Sequence, residues 1–152
     1  MIKIRKAIPG DEATIFELIK ELALYEKEPL EVTNTASDLK QHLFEDSICH
    51  SIVATDNNQI IGFALYYISY STWKGKCLYL EDFYVKEKYR KQGIGAQLFN
   101  ETINIAKSIK AKRMDWQVLS WNELAINFYK KLGTNLDTGW INGRISFKSG
   151  YA

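Results

Sequence analysis

Tyr89-Arg90-Lys91-Gln92-Gly93-Ile94-Gly95-Ala96 joins a strand-like run, Leu78 through Val85, to a helical pattern running from Gly93 to Ile109. In that helix Leu98, Ile103, Ile105, Ala106 and Ile109 supply the apolar stripe. Two glycines in the turn let the backbone come close to a ligand. The helix points its unsatisfied first N–H groups into the same turn, and its dipole adds positive potential there. Lys88, Arg90 and Lys91 add formal charge beside it. The stretch reads as a cradle for a pyrophosphate.

Two familiar glycine motifs do not fit. A Walker loop needs Lys-Ser/Thr after its last glycine, and Ala96-Gln97 follow here. A dinucleotide fingerprint needs a small residue three positions after the second glycine, and position 98 is Leu. Arg-x-x-Gly-x-Gly at a strand-to-helix turn remains.

Outward from this turn, Ile2 and Ile4 alternate with Lys3 and Arg5, which predicts a first strand over residues 2–8. Pro9-Gly10-Asp11 breaks it, with Asp11 as N-cap. Ile15, Leu18, Ile19, Leu22 and Ala23 predict a helix ending near Tyr25-Glu26, and Leu39, Leu43 and Phe44 a short one from Ser37 to Phe44. Ser51–Ala54 and Ile60–Ile68 read as strands around the turn residues Asp56-Asn57-Asn58-Gln59. Leu78–Val85 is the next strand, then come the Gly93–Ile109 helix and a strand at Met114–Leu119. A helix over Glu123–Leu132 closes at Gly133. Ile141–Phe147 gives a last strand paired near Leu136. Hairpins mixed with β-α-β crossovers mean an α/β fold with a mixed sheet and helices on both faces.

The 152 residues, 46% apolar and 25% charged, fit one domain over 1–152. The net charge of +2 argues against a dedicated nucleic-acid partner, and no apolar run suits a signal peptide or membrane span. The expected location is cytoplasmic. Cys49 and Cys77 read as reduced, buried residues, and no Cys/His spacing suggests a metal site. His42 and His50 are given no role. Trp73, Trp116, Trp121 and Trp140 read as core and edge packing. Lys107, Lys110, Lys112 and Arg113 suit a helix C-terminus.

The Arg-x-x-Gly-x-Gly turn resembles the coenzyme A pyrophosphate motif of the GNAT N-acetyltransferases. Further stretches resemble its spermidine/spermine and thialysine N-acetyltransferase subfamily. They are Ile19-Lys20-Glu21-Leu22-Ala23 with Tyr25-Glu26, Gly62-Phe63-Ala64-Leu65-Tyr66-Tyr67, Ser71-Thr72-Trp73-Lys74-Gly75-Lys76, Leu78 through Val85, Trp121-Asn122-Glu123 and Ile126-Asn127-Phe128-Tyr129-Lys130. The resemblance implies a twisted mixed sheet whose two central parallel strands splay around a pantetheine arm. It also implies a homodimer and acetyl-CoA as co-substrate, with no metal. Phe83, Tyr84 and Val85 would line the arm. Arg90, Lys91, Gln92, Gly93, Ile94, Gly95 and Ala96 would hold the pyrophosphate. Asn122 would contact pantetheine, and Tyr129 would sit by the thioester sulfur.

Acetyl transfer to an amine needs a base for the ammonium proton and benefits from an acid at the leaving thiolate. Tyr129 matches the family's acid, since a phenol is protonated at neutral pH. Glu81, directly or through a water, is the candidate base. Tyr25, Glu26, Glu81 and Asp82 are candidates for holding a cationic acceptor, with Glu28 beside them; Glu26 and Glu81 match subfamily positions, and Asp82 and Glu28 are the weaker two. The segment Asn135 to Trp140 carries only Asp137 where polyamine enzymes have an acidic cluster. The acceptor stays open among polyamines, thialysine-like amino acids and other small primary amines. A catalytically silent acetyl-CoA sensor and a protein acetyltransferase are the competing readings.

Overall fold

Apolar alternation and turn chemistry set the elements in the computed structural model, which describes residues 1–147. Strand β1 (Ile2–Lys6) leads to helix α1 (Glu12–Tyr25). Asp11 occupies the N-cap position, but its carboxylate accepts from Arg5 at 2.7 and 3.2 Å and from the Ile8 amide at 2.9 Å instead of capping the helix. Helix α2 (Ala36–Lys40) is capped by Thr35, whose hydroxyl accepts from the Asp38 amide at 3.1 Å. A wider π-type turn, Gln41–Glu45, continues it.

Strands β2 (His50–Asp56) and β3 (Gln59–Ser71) form a hairpin. Asn57 and Asn58 both take left-handed φ values, 49° and 69°. That is the backbone a tight hairpin turn needs, and asparagine tolerates it. Strand β4 (Gly75–Val85) pairs antiparallel with β3. Helix α3 (Ile94–Ser108) crosses over to β5 (Met114–Trp116), which runs parallel to β4, and helix α4 (Glu123–Lys131) follows. The sheet order is β1-β2-β3-β4-β5.

Helices cover both faces of this mixed sheet. Val53, Phe63, Leu65 and Tyr84 pack with Ile15 and Leu18 of α1 and Leu39 and Leu43 nearby. Tyr66 and Leu78 pack on the other side with Ile105, Ala106 and Ile109 of the α3 region. Ile15 and Leu18 are fully buried, worth about 1.5–3 kcal/mol each relative to exposure. Gly62 permits the close seating of α3: a Cβ there would lie 2.9 Å from the Tyr84 carbonyl oxygen and 3.3 Å from Leu98. The β4–β5 ladder stops at Leu80 and Trp116. From Glu81 to Val85 no strand among the described residues pairs with β4 on that side.

Several expectations need correction. β5 is three residues long and does not reach Leu119. No strand forms over 141–147. Ile141, Ile145 and Phe147 alternate with polar residues, but alternation alone is not a strand, and no ladder includes the segment among the described residues. Trp73 and Trp140 are 81% and 75% exposed and are not core, and Cys49 is only partly buried. The backbone divides into two compact units, Met1–Gln117 and a second from Val118 onward. The sheet and α1 to α3 belong to the first, and α4 to the second.

Candidate active site

After Val85 one helical turn, Glu87–Tyr89, leads to Arg90 in extended backbone. Lys91 and Gly93 are both left-handed, at φ 63° and 79°, and Gly93 is the N-cap of α3. The Gln97 amide donates to the Gly93 carbonyl at 3.0 Å. The amides of Ile94, Gly95 and Ala96 precede that ladder, and no side chain caps them. A Cβ placed on Gly93 would meet no atom within 4 Å. The space before the helix is therefore open, and the donors are backbone groups at the positive end of a dipole. Ile94 is buried and anchors the helix through its side chain, while Lys91 and Gln92 are exposed.

Arg90 behaves differently from its neighbours. Its Nε donates to the Val85 carbonyl at 2.9 Å. Its guanidinium carbon lies 5.3 Å from the Tyr25 ring centre and 5.2 Å from that of Tyr84. Phe83 meets Phe99 edge to face at 6.1 Å, and the Tyr84 hydroxyl donates to Glu21 at 3.2 Å. These side chains fix β4, and its backbone beyond the end of the β4–β5 ladder at Leu80 is the part suited to line an extended ligand.

The β3–β4 register shifts at one point. Leu65 faces Asp82 while Tyr66 faces Leu80, so Glu81 is an extra residue, a β-bulge. Before it, Leu78 and Leu80 point to the α3 face. After it, Phe83 takes that face, and Asp82 and Tyr84 turn toward α1. Asp82 thereby comes close enough to Glu81 and to Glu26, the C-cap of α1, to feel their charge. Burial, then Glu81 and Glu26, push the Asp82 carboxyl up to about 7. Burial also raises Glu26. The sequence names these carboxylates together as acceptor candidates, and the bulge is what turns Asp82 toward α1 and Glu26. Sequence reasoning missed Tyr67 and Tyr79, whose rings stack at 5.2 Å. Burial and the charge of Glu81 raise both, Tyr79 to about 12. Glu28 lies exposed on the following turn.

Folded Asp82 keeps its proton where the unfolded carboxyl has lost it. Its contribution to stability therefore falls as pH rises from about 4 to about 7. Asp82→Asn is expected to stabilise the protein by about 2 kcal/mol at pH 8 and by almost nothing at pH 4. Urea unfolding at the two pH values checks this, and an equal effect at both would remove the buried charge as its cause.

In the second unit, Asn122 is the N-cap of α4, and its side-chain oxygen accepts from the Ala125 amide at 3.2 Å. Tyr129 is buried and packs edge to face on Phe128 at 5.4 Å. The Thr134 hydroxyl donates to the Tyr129 carbonyl at 2.9 Å, fixing the end of that helix.

Residues 14–134 match the family model described as the acetyltransferase (GNAT) family. The chain is 39% identical over 141 residues to thialysine N-epsilon-acetyltransferase of Bos taurus, covering 87% of this chain and 83% of that protein. It is 38% identical over 149 residues to spermidine/spermine N(1)-acetyltransferase-like protein 1 of Homo sapiens, covering 91% of this chain and 21% of that longer protein. Its backbone matches the crystal structure of an aminoglycoside acetyltransferase from an uncultured soil metagenomic sample. That match has a TM-score of 0.80, 18% identity and 97% coverage of each chain, which speaks to the fold.

Proposed function

This chain belongs to the GNAT family of acetyltransferases, and from that premise we propose that it moves an acetyl group from acetyl-CoA to a primary amine of a small cationic acceptor, in a single ternary complex. The observation that carries the reading is the layout of β4. The strand bears a bulge-grouped carboxylate pair in its middle and leads at its end to an uncapped, glycine-led helix N-terminus. One end suits a pyrophosphate and the other an ammonium group.

In this reading the amides of Ile94, Gly95 and Ala96 hold the pyrophosphate. The backbone edge of Phe83, Tyr84 and Val85 guides the pantetheine arm. Asp82 and Glu26 hold the remote charge of the acceptor. Glu81, directly or through one water, takes the proton from the attacking ammonium. The freed nitrogen bonds to the thioester carbon, and the carbon–sulfur bond breaks with its electron pair on sulfur. The Tyr129 hydroxyl gives that sulfur a proton and regains one from solvent. The same reading includes a homodimer in the cytoplasm. No helix among the described residues is long and apolar enough to cross a membrane.

Thialysine-like amino acids stand first among the acceptors. The sequence similarity to thialysine enzymes and the single acid, Asp137, before Trp140 support them over long polyamines. CoA release is expected with thialysine, at a kcat/KM at least about tenfold above that with spermidine, spermine, putrescine, lysine or a peptide N-terminus. A polyamine at the head of that panel would move the acceptor. No turnover with any amine, while acetyl-CoA still binds, would favour a silent sensor.

A further inference from the structure

We infer that Arg90 is a positioning residue that ties the cofactor turn to the acceptor end of α1, and is not a phosphate ligand. The inference rests on the reading that acetyl-CoA binds before α3 and the amine near Glu26. Three contacts fix the guanidinium. Its Nε donates to Val85 at the end of β4, and its plane lies beside the rings of Tyr25 and Tyr84. Tyr84 is buried and donates in turn to Glu21 of α1. Tyr25 is the last residue of α1, and Glu26 follows it as the C-cap. The backbone adds to the geometry. Arg90 is extended, and left-handed Lys91 reverses the chain immediately after it. A cation at this place also complements the negative end of the α1 dipole.

A planar guanidinium with one N–H committed to a carbonyl and two rings beside it suits a fixed bridge. The flexible charges beside the turn are Lys88 and Lys91, which are exposed. Arg90 thus acts on the amine through Tyr25 and Glu26. Ordering the turn around a bound pyrophosphate steadies the last turn of α1 through the same bridge.

The test separates the two substrates in the full-length protein. Arg90→Met is expected to raise the KM of the amine about tenfold at saturating acetyl-CoA. The Kd of acetyl-CoA measured without amine should change less than twofold, and the melting temperature should confirm folding. Arg90→Lys should recover only part of the loss, because an ammonium lacks the Nε–H and the plane. Arg90→Met combined with Tyr25→Leu should raise KM no more than the worse single variant. A tenfold weaker acetyl-CoA Kd with unchanged amine KM would overturn the inference and make Arg90 a phosphate ligand, leaving the cradle reading intact. Unchanged values of both would overturn it as well. A folded Gly93→Val variant with normal acetyl-CoA affinity would instead remove the cradle reading beneath it.

Discussion

Tyr129→Phe is expected to slow turnover about 100-fold or more while acetyl-CoA affinity stays within about twofold. The substitution removes one hydroxyl and keeps the ring. The ring carries the packing, since Tyr129 is buried and rests on Phe128. The turn after it is held by the Tyr129 backbone carbonyl, which accepts from Leu132 and Thr134 and does not depend on the side chain. The loss should therefore fall on kcat and be larger for acceptors whose attack makes thiolate departure limiting. Steady-state rates with equilibrium acetyl-CoA binding check it. Unchanged turnover would take the acid role away from Tyr129 and leave the thiolate to be protonated by solvent.

The second large effect belongs to Gly93→Val. Acetyl-CoA affinity is expected to fall on the order of 100-fold, for two separable reasons. A β-branched residue is strained at φ 79°. Its side chain would also stand in the open space before the helix, where a Cβ touches no protein atom. Because that space is empty of protein, the variant should fold with only a modest drop in melting temperature. Direct titration with acetyl-CoA measures the loss. Near-normal affinity in the folded variant would show that the backbone amides of α3 do not hold the pyrophosphate.

Much of this is legible in the amino-acid sequence. The turn at Gly93, the hairpin at Asn57-Asn58 and the helical stripes all come from local rules, in which the residue decides its own backbone. The bulge was not read, although the sequence marks it. Leu78 and Leu80 are apolar at even positions, and Phe83 and Val85 carry that same face at odd positions. A change of phase inside one strand means an extra residue. The strand expected over Ile141–Phe147 shows the opposite failure. Alternation records which residues share a side, but a strand exists only with a neighbour to bond. Trp73 misled for a related reason, since aromatic size says nothing about where a hairpin tip points. Arg90 reads as a phosphate ligand by its neighbours in sequence, and the two tyrosine rings beside it are visible only in the tertiary structure.

The bulge at Glu81 also bears on how this strand tolerates change. Most substitutions between Leu78 and Val85 alter one face at one position. Deleting Glu81 would restore the regular pleat, and every side chain beyond it would keep its side. Leu78, Leu80, Phe83 and Val85 would share the α3 face in one unbroken alternation, and Asp82 and Tyr84 would stay toward α1. The apolar faces of β4 thus do not need the extra residue, and what it adds is a carboxylate beside Asp82.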